Sequence, residues 1–120
     1  MTLAHWLSGA TGIAQCNFHL IFLQKAIRVD IEFARRDAVE NKKLFDFFFE
    51  CKEEIESKFG HALDWLRLDN KKSSRIEFTL YTEGHNQELW QSYTSWHLEH
   101  IQKLEQVFKP YMADAYQVIK

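Results

Sequence analysis

The chain has 120 residues, 46% of them hydrophobic and 27% charged, with a formal net charge of -2. That length suits one domain, residues 1–120, large enough to bury a core without a covalent staple. Only 4 glycines and 1 proline exclude a turn-rich sandwich or barrel and a disordered chain, and two cysteines without a CxxC exclude a disulfide framework.

Residues 1–16 read as an irregular N-terminal segment, with Ser8-Gly9-Ala10-Thr11-Gly12 as a small-residue loop. Phe18 to Leu23 is an apolar run suited to a strand. Ile27 to Phe33 alternates: Ile27, Val29, Ile31 and Phe33 on one side, Arg28, Asp30 and Glu32 on the other. Period two with one apolar face is the mark of a half-buried strand, and the two runs form a hairpin. Asp37 opens a helix as its N-cap, and Glu40 completes a capping box. That helix runs to Phe59 and stops at Gly60, with Leu44, Phe48, Cys51, Ile55 and Phe59 as its core stripe. Phe47 falls off the stripe and marks a hydrophobic contact.

Leu63 to Leu68 reads as a third strand, Asp69-Asn70-Lys71-Lys72 as a turn, and Ser74 to Tyr81 as a fourth strand. Gly84-His85-Asn86 breaks the chain before a long helix that ends at Pro110. The apolar stripe of that helix is Trp90, Tyr93, His97, Ile101, Leu104 and Phe108. Residues 112–120 are a tail. The expected fold is α+β: a ββαββα core over residues 17–111, an antiparallel four-stranded sheet with two helices packed on one face. Ile31-Glu32-Phe33 and Ile76-Glu77-Phe78 echo each other, as two pseudo-symmetric ββα units would.

The apolar runs are far too short to span a membrane, and the first fifteen residues carry no Lys or Arg, so no signal peptide is visible and a cytoplasmic chain is expected. Ten of the fifteen basic residues sit in two stretches, Lys25 to Lys43 and Arg67 to Arg75. Arg67, Lys71, Lys72 and Arg75 on the second hairpin are the candidates for contact with phosphate or an acidic partner. The polar sheet face, which also carries His19, is the rival location, for a small ligand or an enzymatic centre around Arg28, Asp30, Glu32, Arg75 and Glu77. The strand acids lack the lysine two residues on that a PD-(D/E)XK centre uses, since Ala34 and Thr79 stand there. His97 and His100 share a helix at metal-compatible spacing, but His97 lies in the apolar stripe and reads as a hydrogen-bonded core histidine. Cys51 reads as a buried, inert thiol. No cofactor or metal is expected.

An ordered series runs along the chain: His5-Trp6-Leu7-Ser8, Gly12-Ile13, Arg28-Val29, Asn41-Lys42, Phe45-Asp46, Lys52-Glu53-Glu54-Ile55-Glu56, Phe59-Gly60, Leu63-Asp64-Trp65, Arg67-Leu68-Asp69, Lys72-Ser73-Ser74-Arg75-Ile76, Trp90, Leu104-Glu105 and Phe108-Lys109-Pro110. In this series the chain resembles an uncharacterised prokaryotic domain family, catalogued only as a domain of unknown function. Larger members carry the domain after a region that looks like a PD-(D/E)XK nuclease. The resemblance implies an accessory module in a DNA-processing or defence-type protein and supplies no catalytic residues. It further implies a minimal stand-alone version or a fragment, with a surface that expects a neighbour: a protein partner, a second copy or a nuclease-like domain. Phe47, Cys51 and His97 depart from the family pattern, which places self-association near Phe47. The expected function is therefore a non-catalytic interaction module, with nucleic acid contact through the hairpin and no membrane.

Overall fold

The structure, a computed structural model, describes residues 3–23, 25–81 and 90–120, with residues 3–10, 90 and 91 described by their backbone course. Strands β1 (Leu3–Ala10), β2 (Cys16–Leu23) and β3 (Ala26–Phe33) lead to helices α1 (Ala38–Glu50) and α2 (Lys52–Phe59). Strands β4 (Asp64–Leu66) and β5 (Ser74–Tyr81) follow, then helix α3 (Trp90–Phe108), a 3-10 turn (Lys109–Tyr111) and helix α4 (Met112–Gln117). The five strands form one antiparallel sheet in the order β1-β2-β3-β5-β4.

The α+β class and the antiparallel sheet match the expectation; the ββαββα pattern with four strands and two helices does not. Three differences account for this. Leu3–Ala10, expected to be irregular, is an edge strand paired with β2. Its sequence is poor in β-branched residues, so its pairing rests on the neighbouring strand rather than on local preference. The long first helix is broken at Cys51, whose N–H turns back to the Phe48 carbonyl at 2.9 Å. Hydrophobic spacing does not register that break, because Ile55 and Phe59 beyond it are as buried as Leu44 and Phe48 before it. The expected tail contains α4, whose Met112 and Ala115 join the core. The third strand is also shorter than expected, Asp64–Leu66 in place of 63–68. The break expected at Gly84-His85-Asn86 lies outside the described residues.

The two hairpins meet through the β3–β5 ladder, which sets Ile31 opposite Ile76, the two residues of the sequence echo. The halves are unequal, since β2 has 8 residues and β4 has 3.

Alternation in β3 separates two environments. Val29, Ile31 and Phe33 are fully buried beneath the helices, α1 lying against β3 and β5, α3 against β2 and β3. Phe18, Leu20 and Ile76 share this face and pack with Leu44, Phe48, Ile55, Phe59, Leu104 and Phe108. Phe48 stands at the centre, stacked on Phe33 at 5.6 Å and tilted against Phe108 at 5.3 Å. The helix ends follow local chemistry. Asp37 accepts from the Val39 N–H at 2.8 Å, and Gly60 closes α2 at a φ of 92°, a conformation that favours glycine. Glu40 does not close the capping box: it accepts from Arg35 Nε at 2.9 Å.

Adjacent aromatics on α1 provide a test. Phe48→Ala should lower unfolding free energy by about 4 kcal/mol, whereas Phe49→Ala, at a 46% exposed ring, should lower it by about 1 kcal/mol. Urea denaturation measures both; equal losses would contradict this placement of the helix.

Candidate functional site

Two clusters gather the polar residues expected to carry function. The first lies where the loops after β3 and β4 meet the N-terminal turns of α1. Asn41 is fully buried there. Its side chain accepts from the Arg35 N–H at 2.9 Å and donates to the carbonyls of Arg35 and Lys72, at 3.0 and 2.9 Å. The next residue, Lys42, sends its ammonium to four oxygens: the carbonyls of Arg67, Leu68 and Ser73 and the Ser74 hydroxyl, at 2.5, 2.8, 2.7 and 3.0 Å. Burial lowers the Lys42 pKa, but four acceptors require the ammonium form. Arg35 extends the ties to the Ala14 carbonyl in the β1–β2 turn.

Against this frame the four hairpin cations separate into two kinds. Arg67 grips both carboxylate oxygens of Asp46 on α1, at 2.9 and 3.0 Å, and also binds Asp69. Arg75 binds Glu77 at 2.6 Å on the sheet. Both guanidinium groups are thus engaged in holding the fold. Lys71 and Lys72 are exposed, and neither ammonium has an ion-pair partner among the described residues. Exposed Arg36 and Lys43 flank the same end.

The second cluster is the polar sheet face. His19 Nδ1 donates to Asp30 Oδ1 at 3.0 Å, and Arg28 Nε donates to Asp30 Oδ2 at 3.2 Å. Arg28 reaches Glu77 at 3.6 Å, and Glu77 receives Arg75. Four of the five expected face residues, Arg28, Asp30, Arg75 and Glu77, therefore form one charge-paired chain; no such tie joins Glu32 to it among the described residues. Asp30 is fully buried although it faces away from the helices. An unpaired carboxylate there would be strongly disfavoured, and the His19 and Arg28 contacts supply the partners a buried charge requires.

The remaining candidates have structural positions. Phe47 is half-buried against the Phe48 ring at 5.2 Å, while Phe49 is the exposed ring of this run. Cys16 is buried, its thiol pKa pushed up to about 11 by desolvation, which makes it a poor nucleophile. Cys51 is half-buried at the helix break rather than enclosed in the core. His97 is 2% exposed, edge-on to Phe22 at 4.5 Å. The hydrogen bond expected of it is not formed: neither ring nitrogen has a partner among the described residues, and the Ile21 and Arg28 backbones face the ring outside hydrogen-bond geometry. His100 Nδ1 donates to the Trp96 carbonyl at 2.7 Å, and its ring stacks on Trp96. No group of three or more metal-ligating side chains comes together among the described residues.

Nothing local in the sequence marks Asn41 or Lys42 for a structural role, and strand alternation puts His19 on the polar face without pairing it with Asp30. Hairpin register carries that pair, as His19 stands opposite Asp30. The four Lys42 acceptors had no local signal.

Two of the buried histidines, His19 and His97, give opposite pH dependences. The Asp30 hydrogen bond raises the His19 pKa above 6.5. Its stabilising contribution is full below 6.5 and fades as pH rises through the folded-state value. Burial lowers the His97 pKa below 6.5, so stability falls as pH drops through 6.5 and the unfolded chain gains a proton first. In urea titrations His97→Phe should flatten the acid-side loss, and His19→Gln should flatten the decline above 6.5. Unchanged slopes would contradict both assignments. Separately, Lys42→Met should cost about 3 kcal/mol by removing four charge-assisted hydrogen bonds and leaving the Ser73 carbonyl without a donor, with no rescue by Lys42→Arg, whose planar fork does not match them.

No helix among the described residues is long and apolar enough to cross a membrane. No curated protein and no solved structure matches the chain. Residues 2–112 match a domain of unknown function (DUF4268), and the chain belongs to that family.

Proposed function

We propose that this chain is a non-catalytic interaction module that serves a DNA-processing or defence-type protein with a nuclease-like region, and that it touches nucleic acid through the β4–β5 hairpin. The observation that carries the reading is the division among the hairpin cations. Arg67 and Arg75 are committed to carboxylates, whereas Lys71 and Lys72 are exposed on a loop braced from behind by Lys42 and Asn41. Unpaired ammonium groups on a braced loop can meet phosphates without first breaking internal ion pairs. The exposed Phe49 ring offers a protein partner, or a second copy, an apolar contact, and the half-buried Phe47 offers one on the opposite side of the helix.

A second reading places a small-ligand or enzymatic site on the polar sheet face. Its support is the buried His19–Asp30 pair, in which a carboxylate orients an imidazole. It ranks second because Asp30 and Glu77 are already neutralised by Arg28 and Arg75.

Fluorescence anisotropy with short single- and double-stranded DNA and RNA at two salt concentrations tests the first reading. Binding should weaken with salt at a log–log slope of about 0.9 per phosphate contacted on a duplex. Reversing Lys71 and Lys72 together to Glu should weaken it about tenfold or more. An absence of binding at low salt would sink the nucleic-acid part of the reading.

A further inference from the structure

The hairpin loop has an imbalance of hydrogen-bonding groups that the exposed lysines alone do not express. Between Arg67 and Ser73 the carbonyls of Arg67, Leu68, Lys72 and Ser73 all accept from Lys42 or Asn41. The Leu68 carbonyl also closes a turn with the Lys71 N–H at 2.8 Å. By contrast, the N–H groups of Leu68, Asp69 and Ser73 have no acceptor among the described residues. Their direction follows from peptide planarity. In a trans peptide the N–H points opposite to the preceding carbonyl. Drawing the carbonyls of Arg67, Leu68 and Lys72 onto α1 therefore turns the N–H groups of Leu68, Asp69 and Ser73 away from it. Leu68 holds a φ of 56°, the left-handed region that a branched side chain rarely adopts, and the Lys42 contacts on either side of it maintain that conformation.

We infer that the Leu68–Ser73 loop is a phosphate-binding loop: the outward backbone N–H groups of Leu68, Asp69 and Ser73 are the donors, and Lys71 and Lys72 supply the charge. Successive backbone N–H groups turned the same way make an anion-binding concavity, and the ammonium groups raise the local phosphate concentration. Lys42 and Asn41 are positioning residues that hold the carbonyls out of the site. Asp69 also places a carboxylate on this loop. Arg67 is shared between it and Asp46, which leaves one negative charge on the three groups, and Lys71 and Lys72 make the loop cationic on balance. The inference rests on the polyanion reading above and narrows it to a phosphate group seated on main-chain donors, a contact that reads no base.

The test is a proton–nitrogen correlation spectrum of the full chain, titrated with inorganic phosphate against sodium chloride of equal ionic strength, then with a short oligothymidylate. The Leu68, Asp69 and Ser73 amide signals should move together and saturate with phosphate, in the millimolar range of roughly 1–10 mM, while chloride leaves them in place. Lys71→Gln with Lys72→Gln should weaken that saturation about tenfold and leave the sheet amides unmoved, since neither side chain braces the fold. Lys42→Met should abolish it; if that variant unfolds, the double Gln variant and the amide titration still decide. Oligothymidylate binding without saturable movement of these amides would overturn the loop site while leaving nucleic acid contact through other cations. Saturable phosphate shifts without oligonucleotide binding would uphold the loop site and overturn the nucleic-acid reading. Loss of both would overturn both.

Discussion

The side chains of buried Asn41 and half-buried Lys42 hold the loop end of this fold together. Two consecutive residues in the first turns of α1 satisfy carbonyls from the loops that follow β3 and β4. The Arg35, Lys72 and Ser73 carbonyls would otherwise lack a donor, and a buried polar group without a partner is disfavoured by about 1–3 kcal/mol. The sheet's central pair depends on this arrangement, because β3 leaves and β5 enters the sheet at this end. The helix that roofs the sheet and the loops that leave it are therefore positioned by the same two side chains.

The sheet itself divides the chemistry. One face of β3 holds Val29, Ile31 and Phe33 under aromatic and aliphatic helix residues. The other holds a lateral chain from His19 through Asp30 and Arg28 to Glu77 and Arg75. Ion pairs of this kind add little to stability when exposed, and more to specificity when desolvated. Here they are largely desolvated, so their role is to keep charged strand residues in one register. A one-residue slip would carry Asp30 into the apolar layer. The same pairing removes Arg28 and Arg75 from the cations available to a partner, and Asp46 with Asp69 removes Arg67. What remains available is set by internal neutralisation more than by the count of basic residues.

Much of the architecture was legible from hydrophobic period. Strands β2, β3 and β5 and the apolar stripes of α1, α2 and α3 follow alternation and helical spacing, which are local properties of a chain that must bury one face. The edge strand Leu3–Ala10 and the helix Met112–Gln117 were not legible, because each is held by the element it meets: β2 for the strand, and the core around α1 for the helix. The break at Cys51 escaped because burial continues on both sides of it. Within the candidate site, the identity and spacing of Arg67, Lys71, Lys72 and Arg75 marked a basic hairpin. The same spacing could not show that two of them face carboxylates.

By itself, then, the sequence determined the α+β class, the apolar faces of the principal strands and helices, and the location of basic charge on one hairpin. Those features depend on residue type and on neighbours within a few positions. Tertiary structure alone decided which cations remain unpaired and which carbonyls Lys42 collects. Those features depend on contacts such as Lys42 with Ser73 and Arg67 with Asp46, between residues far apart in the chain. A hydrogen bond requires its partners at about 3 Å with suitable alignment, and for groups so separated only the folded chain sets that distance.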